Sequence, residues 1–283
     1  MKPNFLGIGA VRGGSTWLHE VLKSHPDFYL PSKRKEVQYF TRFYDKGPKF
    51  YESFFPEHQI LKSGCKWYGE ITPGYLRDSM APERIANLGS VEKLVLTVRN
   101  PIDRAFSHYC WHLRVSGTEI SFKRFYASSE GKLKSLALDN GMYAKNLKRY
   151  LEYFNQDQIL ILPFEQIVKS PAKIFEQLSS FFQVKNEFRL VNKVNSAIIP
   201  KNRKLFGKAH RLAQSLRKHN LDLIPNVIIT LGGKKVLSKS VSKSESPVLL
   251  PEDREDLACY FKEDVQELEA ILGYPLNWPE FHS

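Results

Sequence analysis

Gly9-Ala10-Val11-Arg12-Gly13-Gly14-Ser15-Thr16 brings small residues, a cation and two hydroxyls together in one short run. The apolar stretch Phe5-Leu6-Gly7-Ile8 precedes it and the amphipathic stretch Trp17 to Lys23 follows. Strand, glycine turn and helix start in that order aim free backbone N–H groups and a helix dipole at one point, as the holding of a phosphate-like anion requires. Gly9 and Gly14 have the spacing of a P-loop and Thr16 has its hydroxyl position, but Ser15 stands where nucleoside triphosphatases carry lysine. A Walker lysine bridges β- and γ-phosphates beside magnesium, so its loss argues against ATP or GTP chemistry and leaves a cradle for a shorter 5′ anionic group. Arg12 adds a guanidinium where negative charge would gather. Without its flanks, Gly13-Gly14 would read as an ordinary tight turn.

A second junction of this kind runs from Val98-Arg99-Asn100-Pro101 through Arg104 to Ser107-His108-Tyr109, where an apolar strand meets a proline-initiated helix. Arg99 then sits at the carboxyl edge of a sheet, where open parallel α/β sheets bind ligands, and Ser107, two turns along, offers a hydroxyl to the same anion. Alone, the segment reads first as an arginine paired with an acid such as Asp103 and a serine on a helix surface.

The elements needed to position these residues follow from period and punctuation. Strands are expected at 4–9, 93–98 and 158–162, short apolar runs suited to a buried parallel sheet. Helical stripes fall at Met142, Leu147, Leu151 and Phe154, at Ile174, Leu178, Phe181 and Phe182 after Pro171, and at Leu257, Phe261, Val265, Leu268 and Leu272 before Gly273. The expectation is an α/β, P-loop-like three-layer fold, a central, mainly parallel sheet flanked by helices, in one domain over 1–283. A basic, mobile segment is expected at 201–247, with the Ser/Lys-rich tract 238–246 as its loop.

The 283 residues, 42% hydrophobic and 25% charged, describe an ordinary globular chain long enough for a full core. Cys65, Cys110 and Cys259 are odd in number and far apart, which suggests neither a disulfide framework nor a zinc site and points to a reducing compartment. No apolar run approaches the roughly 20 residues of a membrane span, and the first strand begins too early for a signal peptide, so the protein is expected to be cytoplasmic. The net charge of +12 is uneven: residues 201–244 hold eleven Lys and Arg against the single acid Asp222. Such a segment attracts anions in general, or is simply a solvated face.

At the two anion signatures the chain resembles the PAPS-dependent sulfotransferases, whose donor is 3′-phosphoadenylyl sulfate. In that family a modified P-loop binds the 5′-phosphosulfate, and an R-x-P-x-x-R-x-x-S frame binds the 3′-phosphate. Arg12-Gly13-Gly14-Ser15-Thr16 is similar to the first, and Arg99-Asn100-Pro101 through Arg104 to Ser107 to the second. Further segments look like the heparan sulfate or glycan-type branch and its bacterial relatives. These are Lys35-Glu36-Val37-Gln38-Tyr39-Phe40 (K-E-x-H-F-F there), Gly69-Glu70-Ile71-Thr72-Pro73-Gly74-Tyr75, Gly141-Met142-Tyr143, and the ending Val265 to Trp278. Two positions depart from that branch: Arg12 replaces its usual lysine, as in tyrosylprotein sulfotransferases, and Gln38 replaces its histidine.

The resemblance implies in-line transfer of a sulfuryl group from PAPS to a hydroxyl or amine of a glycan, lipid or small metabolite, anionic acceptors included. Adenosine 3′,5′-bisphosphate is released and no metal is required. It implies Glu36 as base, Arg12 with the Gly13, Gly14, Ser15 and Thr16 amides as leaving-group stabiliser, and Arg99 with Ser107 as donor anchor. His108 or His112 is the alternative candidate for the base, whereas His25-Pro26 reads as the end of the first helix. Glu36 also reads as a surface ion pair of Lys33-Arg34-Lys35. Tyr39, Phe40, Trp67 and Tyr75 either line an acceptor cleft or belong to the core. In related folds a late loop covers the donor, which makes Asn195, Lys201 and Arg203 candidates.

Two other functions are weighed against this one. A P-loop small-molecule kinase requires a Walker lysine and a magnesium-binding Asp after a strand, where this chain has Ser15 and Arg99. A non-enzymatic binder of polyanions or nucleic acid would use 201–244, which lacks zinc ligands, RNP-like aromatics or a helix-turn-helix, so no nucleic-acid partner is expected. Acceptor identity and oligomeric state are not legible in the residues.

Overall fold

The computed structural model describes residues 1–116, 119–128, 131–190, 212, 215 and 247–282. The expected basic segment at 201–247, with Asn195, Lys201 and Arg203, therefore lies almost wholly outside the described residues.

Five strands, β1 (Phe5–Gly9), β2 (Phe28–Tyr29), β3 (Trp67–Ile71), β4 (Lys93–Val98) and β5 (Ile159–Pro163), form one sheet in the order β2-β3-β1-β4-β5. Every pairing is parallel, with Phe5 level with Gly69 on one side and Lys93 on the other. All carboxyl ends thus share one edge. The chain leaves β1 toward β2 and β3 but leaves β4 toward β5, so the order reverses between β1 and β4. At such a reversal the connections diverge and open a crevice at the carboxyl edge. The loops after β1 and β4 carry the two anion signatures.

Alternate residues of each strand face opposite helical layers. Leu6, Ile8, Leu94, Leu96 and Val98 pack with Ile102, Ala105, Leu147, Tyr150, Phe261 and Val265. Those partners belong to α5 (Pro101–Ser116), α8 (Tyr143–Leu151) and α11 (Pro251–Leu272), which follow α2 (Gly47–Glu52), α3 (Glu57–Ser63) and α4 (Ala81–Ala86) in the chain. Between α5 and α8 lie α6 (Phe122–Ala127) and α7 (Gly131–Ala137). On the other face Phe5, Ile71, Val95 and Leu162 pack with α1 (Ser15–Lys23) and α10 (Pro171–Phe182), which α9 (Phe164–Lys169) precedes. Leu18, Val21 and Leu22 of α1 are fully buried there. Each contributes about 1.5–3 kcal/mol, enough together to pin the helix whose first turn closes the glycine loop.

The expected three-layer architecture and the strands near 4–9, 93–98 and 158–162 are present, with small shifts of boundary. Strands β2 and β3 were not foreseen. β2 has two residues, and β3 carries the fully buried Glu70, a carboxylate inside what otherwise reads as a core strand. Gly273 ends the last helix in a left-handed conformation, as its position suggests.

Candidate active site

Two glycines shape the loop after β1. A Cβ on Gly13 would lie 2.8 Å from the Thr97 carbonyl oxygen and 3.2 Å from that of Ala10, so only glycine lets the loop pass this close to β4. Gly14, at φ 111°, is the N-cap of α1 and offers no side-chain cap, and the first turn of the helix has no acid. The N–H groups there are left for an external acceptor. Hydrogen bonds tie the loop to β4: Ala10 N–H donates to Thr97 O at 2.7 Å, and Thr97 Oγ1 to Gly9 O at 3.0 Å.

Arg12, in the left-handed region at φ 67°, donates through Nε to Ser107 Oγ at 3.2 Å. Residues 95 positions apart, one from each anion signature, thereby meet across the β1–β4 crevice. Burial, and then the charges of Arg114 and Arg99, bring the Arg12 guanidinium down to about 10, leaving it charged at neutral pH. Three guanidinia thus crowd together, an arrangement that favours a multiply charged anion.

The turn that carries Arg99 is braced from several sides. Asn100 Oδ1 accepts from Ile102 N at 3.0 Å and caps α5, while Asn100 N–H donates to Glu165 Oε1 at 3.0 Å. Tyr143 OH donates to Arg99 O at 2.8 Å. The Arg99 guanidinium lies over the Phe164 ring, 4.9 Å from its centroid. Among the described residues it meets no carboxylate, because Asp103, its alternative partner, pairs with Arg254 at 2.7 Å. Arg254 also bridges to Glu280, whose other oxygen accepts from Asn100 Nδ2 at 3.0 Å.

Lys35 and Glu36 approach from the β2–β3 side. Lys35 Nζ donates to Thr16 Oγ1 at 2.6 Å and lies 4.0 Å from Glu36 Oε1. An ammonium thus reaches the loop from another element, although the Walker position itself holds Ser15. Burial lowers the Lys35 pKa, with Glu36 and Glu20 opposing the shift and Arg12 adding to it. The Glu36 side chain is 39% exposed.

Behind this segment lies a buried polar network. Glu70 accepts from Thr72 Oγ1 and from Tyr75 OH, each at 2.6 Å, and from Val37 N–H at 3.4 Å. Thr72 Oγ1 accepts from Gln38 N–H at 3.1 Å, and Tyr75 OH from Tyr39 N–H at 2.9 Å. Three consecutive amides after Glu36 are therefore held by three side chains of the Glu70–Tyr75 stretch. Burial pushes the Glu70 carboxyl up to about 7, against its hydrogen bonds and with help from Glu36. Gln38 sits in the left-handed region at φ 57° and turns the chain.

The remaining candidates divide cleanly. Tyr39, Phe40, Trp67 and Tyr75 are buried core residues rather than cleft lining, and Trp67 packs on the opposite face of the sheet from Phe40. His108 is buried and kept neutral, chiefly by desolvation and then by Arg104, and its Nδ1 lies 3.4 Å from Arg104 Nη1. His25 bonds Lys185 O and accepts from Asp27 N–H, closing the turn after α1 as its sequence position suggests. Lys35, Arg114 and the role of Glu70 were missed by sequence reasoning. The signal for the first and last was their place beside Glu36 and Thr72 in the resembling segments. The cysteines are free, and among the described residues no three His, Cys, Asp or Glu side chains gather as a metal site.

Fold and site together define an α/β protein whose two anion signatures meet at the switch point of a parallel sheet. A sulfotransferase-domain family model matches residues 2–269, and the chain belongs to that family. The human bifunctional heparan sulfate N-deacetylase/N-sulfotransferase 1 is 32% identical over 199 residues, covering 65% of this chain and 22% of that protein. The mouse heparan sulfate glucosamine 3-O-sulfotransferase 3B1 is 32% identical over 187 residues, covering 65% and 46%. The chain thus spans less than half the length of these relatives. The crystal structure of a sulfotransferase from Alicyclobacillus acidocaldarius shares the fold, with a TM-score of 0.65, 23% identity and 98% of each chain covered.

Proposed function

We propose that this chain transfers a sulfuryl group from PAPS to a hydroxyl or amine of an acceptor by in-line displacement. The Arg12–Ser107 contact carries the reading, because it joins the two anion signatures at one crevice while, among the described residues, the Arg99 guanidinium meets no carboxylate. The cradle fits the 5′ end of the donor: glycine allows the close backbone approach, and uncapped N–H groups face the anion. Arg99 and Ser107 hold the 3′-phosphate.

Glu36 takes the proton from the attacking hydroxyl or amine as the new bond to sulfur forms. The bond between sulfur and the bridging oxygen breaks, and its electron pair stays on the departing 5′-phosphate. Arg12, Lys35 and the loop amides stabilise that growing charge. The Glu70 network holds Glu36 in line, which matters because misplacing a reacting group by 1 Å costs on the order of 10²-fold in rate. The names of the relatives support a glycan acceptor, with lipid and small-metabolite hydroxyls as the other classes to screen.

Calorimetric titration with adenosine 3′,5′-bisphosphate in the absence of magnesium tests the reading. Wild type should bind, and Arg99→Ala should lose about 100-fold in affinity, the scale of a lost charge-assisted phosphate contact. No binding by wild type, or a magnesium-dependent preference for ATP, would return the site to a kinase.

A further inference from the structure

Arg104 lies on α5 between the two donor anchors, Arg99 and Ser107, and is completely buried. Its Nη2 donates to the carbonyls of Leu136 and Ala137 at the end of α7, and its Nη1 faces His108 Nδ1. Among the described residues its Nε has no hydrogen-bond partner. Among the described residues no carboxylate pairs with it. After burial, the largest influences on it come from the Tyr143 phenol and then from three cations, Arg99, Arg12 and Arg77. Burial brings it down only to about 10, so the guanidinium remains charged at neutral pH.

An unpaired charge in a protein interior is costly, and proteins supply a counter-charge to nearly all of them. Neutral carbonyls at a helix C-terminus satisfy some of the donors and contribute partial negative charge, but they do not neutralise a full positive one. Arg12, Arg99 and Arg104 thus form a positive region, and among the described residues the carboxylate beside it, Glu165, is held by the Asn100 N–H rather than by any of the three guanidinia. The missing negative charge belongs at the crevice mouth, where Arg12, Ser107 and Arg99 converge.

We propose that Arg104 is an electrostatic positioning residue for the donor: its buried guanidinium, paired with no carboxylate among the described residues, raises affinity for the multiply charged donor without touching it. This rests on the donor-binding reading above. The effect scales with ligand charge, since one elementary charge at roughly 10 Å in an effective dielectric near 20 is worth roughly tenfold in affinity for each charge it faces. A purely structural role, capping α7, predicts losses that ignore ligand charge.

The test measures dissociation constants for adenosine 3′,5′-bisphosphate and adenosine 5′-monophosphate, at several salt concentrations, in wild type, Arg104→Gln, Arg104→Lys and His108→Glu. Arg104→Gln keeps a donor for the carbonyls but removes the charge; Arg104→Lys keeps the charge. His108→Glu leaves Arg104 in place and gives it a carboxylate, so it serves even if Arg104→Gln does not fold. The bisphosphate should bind tenfold or more weakly to Arg104→Gln and to His108→Glu, the monophosphate should lose less, and the salt dependence should become shallower. Arg104→Lys should recover most of the bisphosphate affinity. The proposal is overturned if Arg104→Gln or His108→Glu binds the bisphosphate as wild type does. It is equally overturned if both ligands weaken alike, or if lysine fails to rescue. Absence of bisphosphate binding by wild type would overturn the donor reading itself and this inference with it.

Discussion

Gly13 and Glu36 show two different ways in which a single residue limits this site. Gly13 is constrained by space: the Thr97 carbonyl leaves 2.8 Å for a Cβ. Gly13→Ala must move the loop away from β4, and we expect it to cost about 1–3 kcal/mol of stability and to weaken bisphosphate binding by tenfold or more. Thermal melting and calorimetry read the two effects separately. Glu36 is constrained by chemistry. It lies part-exposed, with Lys35 Nζ 4.0 Å from its Oε1. Glu36→Gln should lower kcat by about 10²–10⁴-fold while donor affinity stays within a factor of two, whereas a mere surface ion pair would leave kcat unchanged.

At the scale of elements, strand β3 and the turn after it act on the segment that follows Glu36 through its backbone amides rather than its side chains. Glu70, Thr72 and Tyr75 hold the N–H groups of Val37, Gln38 and Tyr39. Burial raises the Glu70 carboxyl from 4.5 to about 7, so the folded protein binds its proton more tightly than the unfolded chain does. Its contribution to stability is fully present below about pH 4.5 and is lost as pH rises through about 7. The difference in stability between wild type and Glu70→Gln should therefore shift against wild type by on the order of 3 kcal/mol across that range, measured by denaturant melts at several pH values. A difference independent of pH would mean that Glu70 titrates normally. The amphipathic helices α1, α8, α10 and α11 were legible because their apolar stripes are local. β3 was not, because a carboxylate within a core strand becomes intelligible only with its hydroxyl partners in place.

Across the whole molecule, charges far apart in sequence are gathered into one crevice, and remote segments brace it. Glu280 and Arg254 reach back to Asn100 and Asp103, so the C-terminal end of the chain supports the turn that carries Arg99. The site's positive field also bears on acid stability. Burial, and then Lys35 and Lys23, bring His19 down to about 4 from its ordinary 6.5, and it stays neutral in the fold. The unfolded chain takes up that proton first, so stability is present above 6.5 and lost as pH falls toward about 4. Glu70 works in the opposite sense over part of this range. The His19 contribution is therefore read as the difference between wild type and His19→Asn, which should shift by on the order of 3 kcal/mol. A flat difference would place His19 in ordinary solvent contact.

The sequence alone determined the class of fold and the two anion signatures, because strand, glycine turn and helix start are short-range patterns whose physics is complete within a dozen residues. It also brought Glu36 forward as a candidate base, through the likeness of its neighbours to a family segment. Tertiary structure alone decided what each candidate meets. It paired Asp103 with Arg254 rather than Arg99, brought Lys35 to Thr16, set Ser107 against Arg12, and buried Tyr39, Phe40, Trp67 and Tyr75 in the core. These outcomes depend on which loops converge at the edge of a parallel sheet. Strand order sets that convergence through contacts between residues far apart in the chain, and no local pattern encodes it.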